Sequence, residues 1–313
     1  MNLTLISGNA NPALAGAVAT KLGTKLIART LERFPDSELH IEIQESVRTA
    51  DVYIIQPTSP PVDSHVMELL MLADACRRAG AARITAVVPY VAYARQDRRA
   101  SGREPVGARL VADLVGAAHI DRIVAMDTHT TALEGVYPVP LEHLSAVDTL
   151  AAALATRMPS NGVLISPDLG GVKLAERYAR KLKLPLAVVH KTRLSGLQVK
   201  AVSIVGDVKG RTPIVVDDMI STAGTIEAAL RAASEAGAAP GAIVAATHAL
   251  LVGPAVARLK PLGIVRLVVT DSVARPEATD ELPLEIVSIA PVLAEAIARL
   301  HQGKSLGDLL VRA

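Results

Sequence analysis

The chain has 313 residues, 33 of them basic and 31 acidic, for a net charge of +2. At roughly 100–200 residues per domain this length suits two domains rather than one, and so small a net charge excludes a global pull toward nucleic acid or anionic membrane. Half the residues are apolar, yet Trp is absent and Phe occurs once, at Phe34, so aliphatic side chains must fill the core. The single thiol, Cys76, excludes an intramolecular disulfide and fits a reducing, cytoplasmic setting. It reads as a small buried hydrophobe on a helix. The opening MNLTLISG has neither the basic segment nor the long apolar run of a secretory signal.

Strand and helix signals alternate along the chain. Residues 3–6 form a short apolar strand, and Asn11 caps a helix with Pro12 at its first position and Leu14, Val18 and Leu22 at helical spacing. Ile54 and Ile55 precede a Pro-rich turn and a helix over 67–78. A strand at 84–88, the polar segment 93–104, a helix near 109–115 and a strand at 123–126 complete a first series. The second series runs through strand 163–165, a helix with Leu174, Tyr178 and Leu182 in register, strands 186–189 and 213–216, helix 225–235, strands 242–246 and 265–269, and helix 292–300. Residues 236–257 carry no charge, but Gly237, Pro240, Gly241, Gly253 and Pro254 break them into turn, buried strand, turn and helix rather than a membrane span. Repeated strand–helix units with Val/Ile/Ala strands predict parallel sheets covered on both faces. The chain divides into two similar α/β domains, 1–145 and 146–313, with the packing of 303–313 left open.

In such sheets ligands sit beyond the carboxyl ends of strands. The clearest such end is VVDDMISTAGT at 215–225: two adjacent carboxylates, Asp217 and Asp218, then a turn of small and hydroxyl residues (Ser221, Thr222, Ala223, Gly224, Thr225), then a helix. Helix N-termini bind anions, and small residues let a phosphate approach the main chain. Ser/Thr caps alone would make an ordinary strand–helix turn. The Asp pair changes that reading, because buried carboxylates need partners. They suit either the vicinal hydroxyls of a sugar or a divalent cation.

This segment resembles the phosphoribosyl-pyrophosphate loop of the phosphoribosyltransferase-type fold. No GK[ST] follows, so it is not a Walker loop. Alone, it fits a nucleobase phosphoribosyltransferase or a ribose-phosphate pyrophosphokinase. Five further segments resemble the pyrophosphokinase family in order and spacing: FPDSE at 34–38, YARQDRR at 93–99, MDTHTT at 126–131, SPDLGG at 166–171 and HKTRLSG at 190–196. The likeness runs nearly end to end. Ser221 stands where the commonest bacterial and animal pattern has Asp, and ISTAGT with KTRLSG looks more like archaeal-type, divergent members.

The resemblance implies two phosphoribosyltransferase-type domains and Mg²⁺-dependent transfer of the diphosphoryl group of ATP to ribose 5-phosphate. Arg95 and Gln96 would contact the nucleotide, with Asp97 buttressing them; an Arg cluster (Arg95, Arg98, Arg99, Arg103) suits a triphosphate. His129 and Asp168 would bind the magnesium carried by ATP, with Asp127 near a second metal. A His ligand is unusual for magnesium, so His129 rests on the family alone. Lys191 and Arg193 would be the catalytic pair, in a polar loop that closes over the triphosphate. Phe34 would stack on adenine, with Asp36 or Glu38 reading its edge, in the ATP site of an adjacent subunit. That implies a homo-oligomer built on dimers, up to a hexamer. The partners implied are ATP and ribose 5-phosphate, with no nucleic acid and no membrane. A phosphoribosyltransferase would not need the ATP segments, and a non-catalytic regulatory paralogue would often lack Lys191, Arg193, His129, Asp168 or the Asp pair.

Overall fold

Aliphatic runs punctuated by Gly, Pro and Asn become buried strands, and the computed structural model describes them over residues 1–99, 101–192, 201–275 and 279–311. Contacts divide the chain into two units: Met1–Ser145 with Ser272–Ala274 and Ser288–Ala313, and Ala146–Asp271 with Arg275–Val287.

The first unit begins with β1 (Leu3–Ser7) and α1 (Pro12–Leu22). The Asn11 side chain accepts the Leu14 N–H at 3.1 Å, Pro12 opens the helix, and Gly23 closes it at φ 65°. A hairpin, β2 (Arg29–Arg33) with β3 (Leu39–Ile43), stands apart from the main sheet. Then come β4 (Asp51–Ile55), α2 (Val62–Arg78), β5 (Arg83–Val88), α3 (Gly107–Ala117), β6 (Arg122–Met126) and β7 (Leu141–Leu144). The sheet has the order β1-β4-β5-β6-β7, and every pair is parallel. All five residues of β4 are buried, as a parallel strand covered on both faces requires. Cys76 lies in this core, where burial pushes its thiol up to about 12.

The second unit carries α4 (Val147–Ala155), β8 (Gly162–Ser166), α5 (Val172–Leu182), β9 (Leu186–Thr192), β10 (Ala201–Val205), β11 (Thr212–Ile220), α6 (Gly224–Glu235), β12 (Ala242–Ala249), α7 (Ala255–Leu259), β13 (Ile264–Thr270) and β14 (Leu284–Val287). Its sheet runs β10-β9-β8-β11-β12-β13-β14, parallel except for the β9–β10 pair. The uncharged stretch at 236–257 holds β12, buried along all eight residues. Among the described residues no helix is long and apolar enough to cross a membrane.

The chain then returns to the first unit through α8 (Ala290–His301), which packs on α1. The expected second domain ran to residue 313; the contacts assign 288–313 to the first unit instead. The reason is a buried acid. Asp51, at the head of β4, is fully buried and accepts from Arg83 Nε at 2.7 Å, Arg83 Nη2 at 2.5 Å, His301 Nδ1 at 2.7 Å and the Tyr53 hydroxyl at 3.1 Å. A backbone bond from the Val311 N–H to the His143 carbonyl, 2.7 Å, fastens the tail beyond.

Burial alone would push the Asp51 carboxyl up, but the bonds from Arg83 and His301 together outweigh it and hold it below the usual range. A depressed folded-state value gives stability that is present above the unfolded value of about 4 and is lost as pH falls through the folded one. Asp51→Asn should therefore cost about 3 kcal/mol at pH 7 in urea unfolding and flatten the loss of stability on acidification. An acid limb as steep as that of the parent protein contradicts this role.

Candidate active site

The strand β11 is paired on both sides only at Ile214 and Val215. Its ladder to β8 ends at Val215, opposite Ile165, whereas its ladder to β12 continues to Ile220, opposite Ala249. Asp217 and Asp218, expected at the strand end, therefore lie inside a longer strand but past its last partner in β8. This is also where the sheet order reverses, with β9 and β10 on one side and β12 to β14 on the other. Open parallel sheets bind ligands at such a switch point.

Burial, then the neighbouring Asp218 charge, pushes the Asp217 carboxyl well above the usual carboxylate range. Asp168, just past the end of β8, adds to the same push. One compensation is local: the Asp218 N–H donates to Asp217 Oδ1 at 2.9 Å. Across the opening, Asp168 Oδ1 accepts the Gly171 N–H at 3.0 Å and the Asp168 carbonyl accepts the Ser166 hydroxyl at 2.7 Å. A Cβ on Gly171 would stand 3.1 Å from that hydroxyl, which explains the second glycine of SPDLGG.

Beyond β11 the turn 221–225 is tied from behind. The Leu251 N–H donates to the Ile220 carbonyl at 2.9 Å and the Val252 N–H to the Ser221 carbonyl at 3.0 Å. Ala223 takes the left-handed conformation, φ 61°, and α6 starts at Gly224 with no side-chain cap. Its first N–H groups are thus available to a ligand. Ser221, Gly224 and Thr225 are partly exposed, Thr222 is exposed and Ala223 is buried. Asp217, Asp218, Asp168 and 221–225 all belong to this one unit, and the Asp168 charge acts on Asp217.

Lys191 was expected in a loop. It stands instead on β9, opposite Val202 of the antiparallel β10, because that pairing extends the strand to Thr192. Arg193, with the rest of the HKTRLSG motif beyond Thr192, lies outside the described residues.

In the first unit the segments expected to meet the nucleotide occupy the carboxyl ends of β5 and β6 and the tip of the β2–β3 hairpin. Past β5, Tyr93 turns the chain at φ 58°, and the Gln96 N–H closes the turn on the Tyr93 carbonyl at 2.8 Å. Arg95 and Gln96 are exposed and Asp97 is half-buried. A Cβ on Gly107 would meet Gln96 Oε1 at 2.6 Å, so glycine there gives the glutamine its room. Past β6, His129 is exposed whereas Asp127 is 5 % exposed and strained at φ 35°. His143, missed in the sequence, holds this loop: its Nε2 accepts the Thr128 N–H at 2.8 Å, so that nitrogen carries no proton. At the hairpin tip Phe34 is 47 % exposed, 5.1 Å from the His40 ring. Asp36 Oδ1 accepts the Glu38 N–H at 3.0 Å, and both acids are exposed.

Parallel sheets with a hydroxyl-lined turn at the switch point define an α/β protein of the phosphoribosyltransferase type. Residues 3–118 match the N-terminal domain of ribose phosphate pyrophosphokinase, and residues 193–311 match the phosphoribosyl synthetase-associated domain. The ribose-phosphate pyrophosphokinase of Caldanaerobacter subterraneus is 43 % identical over 98 % of both chains. That of Bacillus subtilis is 42 % identical over 98 % of this chain and 97 % of its own. The crystal structure of phosphoribosylpyrophosphate synthetase from Mycobacterium smegmatis superposes with a TM-score of 0.91 at 40 % identity, covering 97 % of this chain and 100 % of that one. The chain belongs to the ribose-phosphate pyrophosphokinase family.

A carboxyl raised in the folded state destabilises as pH climbs from its unfolded value through the folded one. Asp217→Asn removes that term. It should raise the stability of the ligand-free protein at pH 7 by roughly 1 kcal/mol. A lower melting temperature for Asp217→Asn would contradict the strained-acid reading.

Proposed function

We propose that this chain transfers the diphosphoryl group of ATP to the 1-hydroxyl of ribose 5-phosphate, giving phosphoribosyl pyrophosphate and AMP for nucleotide biosynthesis. The observation that carries the reading is the opening between β8 and β11, with an acid pair on the strand and an uncapped helix start beyond it. The full-length likeness to ribose-phosphate pyrophosphokinases supports it.

The 5-phosphate sits on the N–H groups and hydroxyls of Ser221, Thr222, Ala223, Gly224 and Thr225. The vicinal hydroxyls donate to Asp217 and Asp218. The 1-hydroxyl oxygen attacks the β-phosphorus of ATP and loses its proton. The bond from that phosphorus to the α-phosphate oxygen breaks, and AMP leaves. Arg95 and Gln96 hold the nucleotide, and Asp97 supports them. Phe34, exposed at a hairpin tip, stacks on the adenine bound by a neighbouring copy, with Asp36 or Glu38 at its edge. The active form is therefore a homo-oligomer built on dimers, up to a hexamer. We place it in the cytoplasm, in keeping with a sole thiol that is buried and in no disulfide.

Magnesium would be held by His129 and Asp168, with Asp127 near a second ion, and would neutralise charge on the triphosphate. Among the described residues no three His, Cys, Asp or Glu side chains group to hold a metal. Magnesium generally keeps several waters and takes further ligands from substrate phosphates. Lys191 and Arg193 add positive charge to the transferred group, so the chain's own contribution is positioning and neutralisation.

The test is an assay with ATP, Mg²⁺ and ribose 5-phosphate. AMP should form only when the sugar phosphate is present, and Lys191→Ala with Arg193→Ala should lower turnover at least about a hundredfold. Without sugar-dependent AMP the reading fails, and a nucleobase phosphoribosyltransferase takes its place. Unchanged turnover in the double variant removes the role of Lys191 and Arg193 alone.

A further inference from the structure

Arg258 lies on α7, outside every segment the sequence singled out. Its Nη1 donates to the Thr222 carbonyl at 3.0 Å. The same nitrogen is 3.1 Å from the point a Cβ on Gly224 would occupy, so glycine there makes room for the guanidinium. On its other side, Arg258 Nε faces Glu227 Oε2 at 3.5 Å, while Glu227 Oε1 accepts Arg231 Nη2 at 2.9 Å.

Two consequences follow from elementary geometry and charge. In a trans peptide the C=O and the next N–H point in opposite directions. Tying the Thr222 carbonyl to Arg258 therefore turns the Ala223 N–H away from α7. Val252 does the same one residue earlier: it takes the Ser221 carbonyl and turns the Thr222 N–H outward. Two successive N–H groups held this way form an anion-binding concavity. The second consequence concerns Glu227, in the first turn of α6, where a carboxylate would repel an incoming phosphate. Arg231 and Arg258 face one oxygen each.

We propose that Arg258 is a positioning residue for the sugar phosphate: by holding the Thr222 carbonyl and covering Glu227, it makes the turn 221–225 present N–H groups and no negative charge. The inference rests on the placement of ribose 5-phosphate proposed above. It adds a residue that does not itself touch the ligand and whose loss acts on one substrate only.

Isothermal titration of the full-length protein with ribose 5-phosphate, and separately with Mg-ATP, tests it. Arg258→Met keeps the aliphatic stem and removes the donor; it should weaken ribose 5-phosphate binding about tenfold, the worth of one charge-assisted hydrogen bond, and leave the ATP affinity within about twofold of the parent, well below that bond's worth. Arg258→Lys, which still donates to a carbonyl, should recover most of the loss. If the Met variant does not fold, Arg258→Ala carries the same reading. Ribose 5-phosphate affinity unchanged in the Met variant overturns the proposal. So does a parallel loss for both substrates, or a Lys variant no better than Met. A parent protein that does not bind ribose 5-phosphate at all overturns the functional reading first, and the positioning role with it.

Discussion

Beyond Val215, β11 has lost its partner on one side and kept it on the other. Almost everything in the second unit depends on that asymmetry. A strand paired on both sides closes a sheet and leaves no room for a ligand. A strand paired on neither side would not hold two like charges next to each other. The half-paired strand does both jobs: β12 keeps the main chain straight to Ile220, and the missing β8 leaves space beside Asp217 and Asp218. Burial and the neighbouring Asp218 charge raise the Asp217 carboxyl there. The turn that follows inherits its direction from the same strand, because Leu251 and Val252, just past β12, tie back the carbonyls of Ile220 and Ser221.

The first unit uses the same materials differently. Its five strands succeed one another in a single direction across the sheet, β1-β4-β5-β6-β7, with no reversal of order. Its polar segments line up along the carboxyl ends of β5 and β6 instead of converging on one central opening. The hairpin of β2 and β3 interrupts the series and carries Phe34 outward. A chain almost without aromatic residues thus exposes its one phenylalanine, and the aliphatic core shows why it can: the buried strands are filled by Val, Ile, Leu and Ala.

Much of this was legible in the residues. Central strands such as β5, β8 and β12 are rich in Val, Ile, Leu and Ala, and the helix start at Asn11 follows from capping chemistry. What escaped has physical reasons. In β2, RTLER holds a single apolar residue, Leu31, among polar and charged ones and is partly exposed, so no run marks it. The edge strands β10 and β14 and the short β7 are set by their neighbours rather than by their own composition. α4 was not singled out in the sequence. The return of α8 to the first unit depends on a contact 250 positions apart, His301 to Asp51, which no local pattern records. In the site, motifs pointed to Asp217, Asp218, Asp168 and the turn. They could not point to His143 or Arg258, because both act by holding main-chain groups of other segments. The extension of β9 through Lys191 was hidden for the same reason, since β10 creates it.

The central claim is that the opening at the β8–β11 switch point holds the sugar phosphate. A crystal structure of the protein with ribose 5-phosphate tests it directly. The account predicts the phosphate over the N–H groups of 222–225 and the vicinal hydroxyls within hydrogen-bond reach of Asp217 and Asp218. A sugar phosphate bound in the first unit, or with its phosphate away from the start of α6, would contradict it.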